Sequence, residues 1–107
     1  MPAAASIYRQ VIQSDPFDFS AINALSELYT STGHVSDAVS ELFRIADNYF
    51  STGMDVNAAY VLKKILELEA NNGLVQMKLG EIYERQGLKE KASESYLVAE
   101  EIGRAHV

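Results

Sequence analysis

The sequence predicts an all-α chain: an antiparallel helix–turn–helix solenoid of about six helices, in which one central helix is shared between two hairpins. Three observations carry this. Apolar residues recur in steps of three and four along the whole chain, and no stretch sustains the period-two alternation of a strand. A Tyr-x3-Gly-x4-Ala skeleton occurs three times, at Tyr29–Gly33–Ala38, Tyr49–Gly53–Ala58 and Tyr83–Gly87–Ala92. Each glycine of that skeleton follows a periodic segment, where a left-handed residue ends a helix at least cost.

The first helix is expected over about Ala3–Ser14, with Ile7, Tyr8, Val11 and Ile12 on one face. Asp15-Pro16 ends it, because the residue before proline avoids the helical region. The second helix, Phe19–Ser31, carries Ile22, Leu25, Leu28 and Tyr29. The third, Ser36–Ser51, carries Val39, Leu42, Phe43, Ile45, Ala46, Tyr49 and Phe50. Asp55–Ala70, Gly73–Gln86 and Lys89–Gly103 complete the six. Ser36, Asp55 and Asn72 offer side-chain oxygens as N-caps.

The skeleton has a physical reading. The tyrosine lies in the last turn of a helix, the glycine reverses the chain, and the alanine sits one turn into the return helix. Three residues before each tyrosine stands another small residue: Ser26, Ala46 or Gly80. The intervals Ser26–Ala38, Ala46–Ala58 and Gly80–Ala92 are each 12 residues. Small residues facing each other allow helix axes to approach toward the short end of the ~8–10 Å range. The second and third skeletons are 34 residues apart, but the first and second only 20. The segment Ser36–Ser51 must therefore be both the return helix of Phe19–Ser31 and the outgoing helix of Asp55–Ala70.

Bulk properties narrow the functional classes. A chain of 107 residues suits one domain and can bury roughly 65% of its unfolded surface, enough for a core without staples. There is no cysteine, so disulfides and thiolate metal sites are excluded. Net charge is −6, a field that repels phosphate backbones and anionic lipid and favours a neutral or basic partner. In the first 53 residues the only basic side chains are Arg9 and Arg44, against six acids. No apolar run reaches a membrane span and no leader is visible at the start, so a cytoplasmic address is expected.

The pattern resembles the tetratricopeptide repeat, a 34-residue helix–turn–helix unit, over nearly the whole chain. The last repeat fits best, with Leu79, Gly80, Tyr83, Gly87, Ala92, Tyr96 and Ala99 at signature positions. The family's tryptophan-type position is Gln76 here, and Ala70 replaces the proline of the usual junction. The opening stretch, with Ala4, Tyr8, Val11 and Pro16, resembles the second helix of a repeat whose first helix is absent. One domain over 1–107 is therefore expected, as a piece of a longer array or as a chain that begins with an unpaired helix. The shared helix resembles the tetratricopeptide-like bundles of soluble NSF-attachment proteins.

No catalytic constellation stands out. His34 falls in a turn and His106 near the end, too far apart for a metal pair. Glu100 and Glu101 are adjacent on a helix and diverge by about 100°, which suits a solvated face rather than acid–base work. Lys63-Lys64 lies close to Glu67 and Glu69 and also reads as solvated. No enzyme activity, cofactor or metal is expected.

The resemblance implies that first helices line a concave groove for a peptide or a partner's helix. By motif position the groove residues are Asn23 and Glu27, then Phe43 and Asp47, then Met77, Lys78 and Glu81. Glu27, Asp47 and Glu81 stand where the carboxylate-clamp members of the family carry asparagine, which disfavours a C-terminal carboxylate as ligand. The expected function is a non-catalytic protein-interaction scaffold. The alternative is a homodimer through exposed terminal flanks, either Ile7, Tyr8, Val11 and Ile12 or Tyr96, Leu97 and Ile102.

Overall fold

The computed structural model describes residues 2–15 and 19–105. Among these, six helices follow one another: α1 Pro2–Ser14, α2 Phe19–Thr32, α3 Val35–Ser51, α4 Asp55–Leu68, α5 Gly73–Arg85 and α6 Lys89–Ala105. No strand occurs among the described residues. The helices form a slab of 39 × 30 × 17 Å, two helix layers deep given an ~8–10 Å interaxial spacing. Pro16 and His106 lie outside the described residues.

The repeated skeleton builds one loop three times. Gly33, Gly53 and Gly87 have φ of 75°, 80° and 78°, the left-handed region where a side chain is penalised. Around them the N–H groups of His34, Met54 and Leu88 donate to the carbonyls of Tyr29, Tyr49 and Tyr83 at 3.1, 2.8 and 2.8 Å. The glycine N–H groups donate to Thr30, Phe50 and Glu84 at 3.2, 3.1 and 3.0 Å. This is the Schellman arrangement, in which the tyrosine carbonyl is an otherwise orphaned helix-end acceptor. The carbonyls of His34, Met54 and Leu88 then accept from Ala38, Ala58 and Ala92, each at 3.0 Å. The residue that closes one helix thus opens the next, and no spacer is left between them.

This economy corrects the expected caps. His34 and Met54, not Ser36 and Asp55, are the N-caps of α3 and α4, and neither uses its side chain. The loop fixes their position, so a capping oxygen is redundant, and Asp55 instead places its charge in the first turn. Asn72 does cap α5: its side chain accepts from the Val75 N–H at 3.1 Å. To present it, the chain leaves α4 at Leu68, two residues earlier than expected, with Glu69 at φ −145°.

Packing follows the small residues. α3 lies against α4 and α5 against α6 along most of their lengths, and α1 pairs with α2. α3 also packs on α2, which reaches α4. The helix Val35–Ser51 is therefore held on both sides, more extensively by α4. Ala38, Ala46 and Ala58 are wholly buried, and Ile22, Leu25, Leu42, Val61, Leu62, Ile65, Val75 and Ile82 fill the core around them. Each such large side chain contributes roughly 1.5–3 kcal/mol by leaving water.

The third copy has glycine where the second has alanine, and the structure supplies the reason. A Cβ on Gly80 would meet the Tyr96 ring at 2.4 Å, inside any permissible contact, so the ring of α6 rests on the bare backbone of α5. In the first copy the small residue is Ser26, and its hydroxyl is buried with no partner among the described residues. Ser26→Ala removes that uncompensated oxygen and suits a helix better, so the urea midpoint should rise by an equivalent of about 1 kcal/mol. A fall would show that the hydroxyl has a bonding role.

Candidate functional site

α3 and α5 are joined by side chains on one face. Lys78 Nζ lies 3.4 Å from Asp47 Oδ1 and 3.4 Å from Glu81 Oε2. The same ammonium sits 4.6 Å from the centre of the Phe50 ring. The Arg85 guanidinium sits 3.7 Å from that centre, and its Nη2 donates to the Phe50 carbonyl at 2.8 Å. Arg85 also pairs with Asp55, its Nε donating to both carboxylate oxygens at 3.1 Å. Two cations therefore lie within cation–π reach of the Phe50 ring, each anchored by an acid.

Of the residues singled out from the sequence, the structure brings Asp47, Lys78 and Glu81 into this cluster. Phe43 is one turn before Asp47 on α3, half-buried against the core. Met77 is one turn before Glu81 on α5 and 45% exposed. Asn23, half-buried, and Glu27, exposed, lie one turn apart on α2. Neither forms an ion pair with the cluster among the described residues. Sequence alone places Phe50 in an apolar stripe and Asp55 at a cap and gives Arg85 no role: Arg85 lies 35 residues from Phe50, and no local spacing announces the contact.

A second polar group ties α1, α2 and α3 together. Arg9 and the Tyr29 hydroxyl both donate to the buried Glu41 carboxylate, with Arg9 Nη2 at 3.0 Å from Glu41 Oε2 and 3.0 Å from the Tyr29 oxygen. Burial pushes the Glu41 carboxyl up, but the hydrogen bonds from Arg9 and Tyr29 and the charges of Arg9 and Arg44 outweigh it, leaving it below the usual carboxylate range. Burial and the Glu41 bond push the Tyr29 phenol up. A related pair spans α5 and α6, where the Tyr96 hydroxyl donates to Glu84. That bond raises the Tyr96 phenol to about 12. Tyr29–Glu41 and Glu84–Tyr96 are both 12 residues apart, the interval that pairs small residues across each hairpin. That interval was the available signal.

Two depressions mark the surface. A cleft of about 750 Å³ lies between α1 and α3, floored by Ile12, Ile45, Tyr49 and Met54, with Arg44 and Asn48 on its margin. A shallow groove of about 690 Å³ lies at the open end of α5 and α6, where Leu74, Met77, Tyr96 and Ile102 meet. Of the α1 flank expected to be exposed, Ile12 is buried and Tyr8 and Val11 pack on the core, while Ile7 is 58% exposed. Tyr8, Val11 and Ile12 therefore serve the bundle rather than an exposed flank. Among the described residues no three His, Asp or Glu side chains converge on a metal-binding arrangement. No described helix is long and apolar enough to cross a membrane.

No protein-family model and no curated protein matches the chain. Solved structures do. A MamA crystal structure aligns at 21% identity and TM-score 0.55, over 92% of this chain and 66% of that one. MamA of MSR-1 aligns at 20% identity and TM-score 0.59, over 96% and 67%. MamA residues 41–end from Desulfovibrio magneticus RS-1 aligns at 13% identity and TM-score 0.60, over 94% and 65%. The shared property is the tetratricopeptide-like helical fold. The present chain spans about two thirds of the length of these proteins.

Proposed function

We propose that this chain is a non-catalytic protein-interaction module that holds a partner's segment against the face formed by α3 and α5. The observation that carries this reading is the Asp47–Lys78 ion pair, which fastens two non-consecutive helices and gathers Asp47, Lys78 and Glu81, with Phe43 and Met77 one turn away along α3 and α5. Met77 offers exposed apolar area. Asp47 on α3 and Glu81 on α5 are exposed acids. That combination suits a peptide or helix that buries an apolar side chain and brings basic or mixed charge at its edges. Asn23 and Glu27 on α2 extend the face if the segment is long.

The parent protein, used as bait, should capture a partner identifiable by mass spectrometry. Met77→Glu and Asp47→Lys should each reduce capture by tenfold or more, with helical circular dichroism unchanged because both side chains are exposed. Undiminished capture by both variants would show that binding occurs elsewhere.

A further inference from the structure

The loop between α4 and α5 is built differently from the three glycine turns. It runs from Glu69, the C-cap of α4, to Asn72, the N-cap of α5. It also brings an asparagine directly before a glycine, and Asn72-Gly73 is the chain's one such pair. Nothing in the fold asks for glycine at position 73. Its φ is not positive, unlike that of Gly33, Gly53 and Gly87. A Cβ there would meet Ile102 Cγ2 at 3.6 Å, an ordinary contact. What glycine does supply is reactivity: with no Cβ beside it, its nitrogen is open to the preceding side chain.

That side chain is held by two hydrogen bonds. Asn72 Oδ1 accepts from the Val75 N–H at 3.1 Å, and Asn72 Nδ2 donates to Glu69 Oε1 at 3.1 Å. The Gly73 N–H lies in the first turn and has no acceptor within the helix. A free amide thus follows an asparagine whose side-chain carbonyl carbon it can attack once the clasp opens. The bond to Glu69 is exposed, so local opening costs little and the reaction persists, slowed, in the folded chain.

We propose that Asn72-Gly73 is a self-modifying site that converts slowly to aspartate and isoaspartate, with Glu69 as the residue that restrains it. The Gly73 nitrogen gives its proton to hydroxide and bonds to Asn72 Cγ. The Cγ–Nδ2 bond breaks, and Nδ2 leaves as ammonia after taking a proton from water. A cyclic imide results, and water opens it at either carbonyl. Water is consumed, ammonia is released, and nothing is oxidised or reduced. Glu69 opposes the first two steps: its charge disfavours an anionic nitrogen nearby, and its oxygen holds the nitrogen that has to leave. The products undo the cap. Aspartate sets a second carboxylate against Glu69 where a donor stood. Isoaspartate lengthens the main chain by one carbon at the position that sets the cap. None of these residues belongs to the Asp47–Lys78 cluster, so the inference stands independently of the α3–α5 face.

The test holds the full chain folded, and in parallel unfolded in urea, at mildly alkaline pH. Each asparagine is followed by peptide mapping with mass spectrometry and by isoaspartyl labelling. In the folded chain Asn72 should convert ahead of the exposed Asn71 and Asn48, and more slowly than it does in urea. Glu69→Ala should speed the folded conversion about threefold, the equivalent of one exposed hydrogen bond, and leave the unfolded rate unchanged. Gly73→Ala keeps the fold, given the ordinary contact at that Cβ, and should slow conversion about tenfold or more in both states. Aged protein should melt at lower urea than fresh protein. Conversion of Asn72 no faster than Asn71 in the folded chain, or no folded conversion at all, would overturn the proposal. So would a Glu69→Ala variant that converts like the parent when folded, or that is accelerated equally in both states.

Discussion

Leu62→Ala lowers the unfolding free energy by about 2–5 kcal/mol, the range for truncating a fully buried leucine, because Leu62 on α4 has no exposed surface and belongs to the core. The α3–α4 seam rejects added volume. Ala58 is equally buried, and Ala58→Leu should cost about 1–3 kcal/mol by forcing α4 away from α3. Leu74→Ala provides the contrast: that side chain is 72% exposed, and its loss should stay within about 0.5 kcal/mol. Urea melts of the three variants decide the matter. If Ala58→Leu melts with the parent, α3 and α4 do not cross at their small residues and the account of the skeleton is wrong.

Arg9→Leu has the second large effect, and it carries a pH signature. Removing one partner of a buried ion pair costs about 3–5 kcal/mol when both partners are buried. The Arg9 side chain is 44% exposed and Glu41 9%, so water screens part of the interaction and about 1–3 kcal/mol is the expected loss. In the intact protein the Glu41 carboxyl titrates below its ordinary value. Its contribution is therefore complete above the unfolded pKa of about 4.3 and is lost as pH falls through the lower folded value. Without Arg9, burial faces only the Tyr29 bond and the Arg44 charge. The folded pKa moves up, and the acid-side loss of stability shrinks. Thermal melts between pH 3 and pH 7 read this directly. Parallel acid limbs in the two proteins would mean that Glu41 is not governed by Arg9.

Much of this could be read from the chain. Tyr29, Gly33 and Ala38, with their two later copies, encode a loop that needs no distant partner, because its hydrogen bonds all fall within ten residues. The helix positions and the shared middle helix follow from that local chemistry. The caps at Ser36 and Asp55 were misread because the Schellman carbonyls already supply the opening of the next helix. The polar clusters were less legible. Phe50 with Arg85, and Arg9 with Glu41, join residues 35 and 32 apart, and no periodicity records which long side chains on separate helices will meet.

The sequence by itself determined the secondary structure, the hairpin geometry and the all-helical class, since propensity, glycine conformation and small-residue spacing act over short separations. Only the tertiary structure decided that Glu41 is buried and neutralised, that Lys78 serves Asp47 across two helices, and that α1 stands off α3 to leave a cleft. Those outcomes depend on how far whole helices are displaced from one another, a quantity fixed by the sum of all core contacts and by no single stretch of residues.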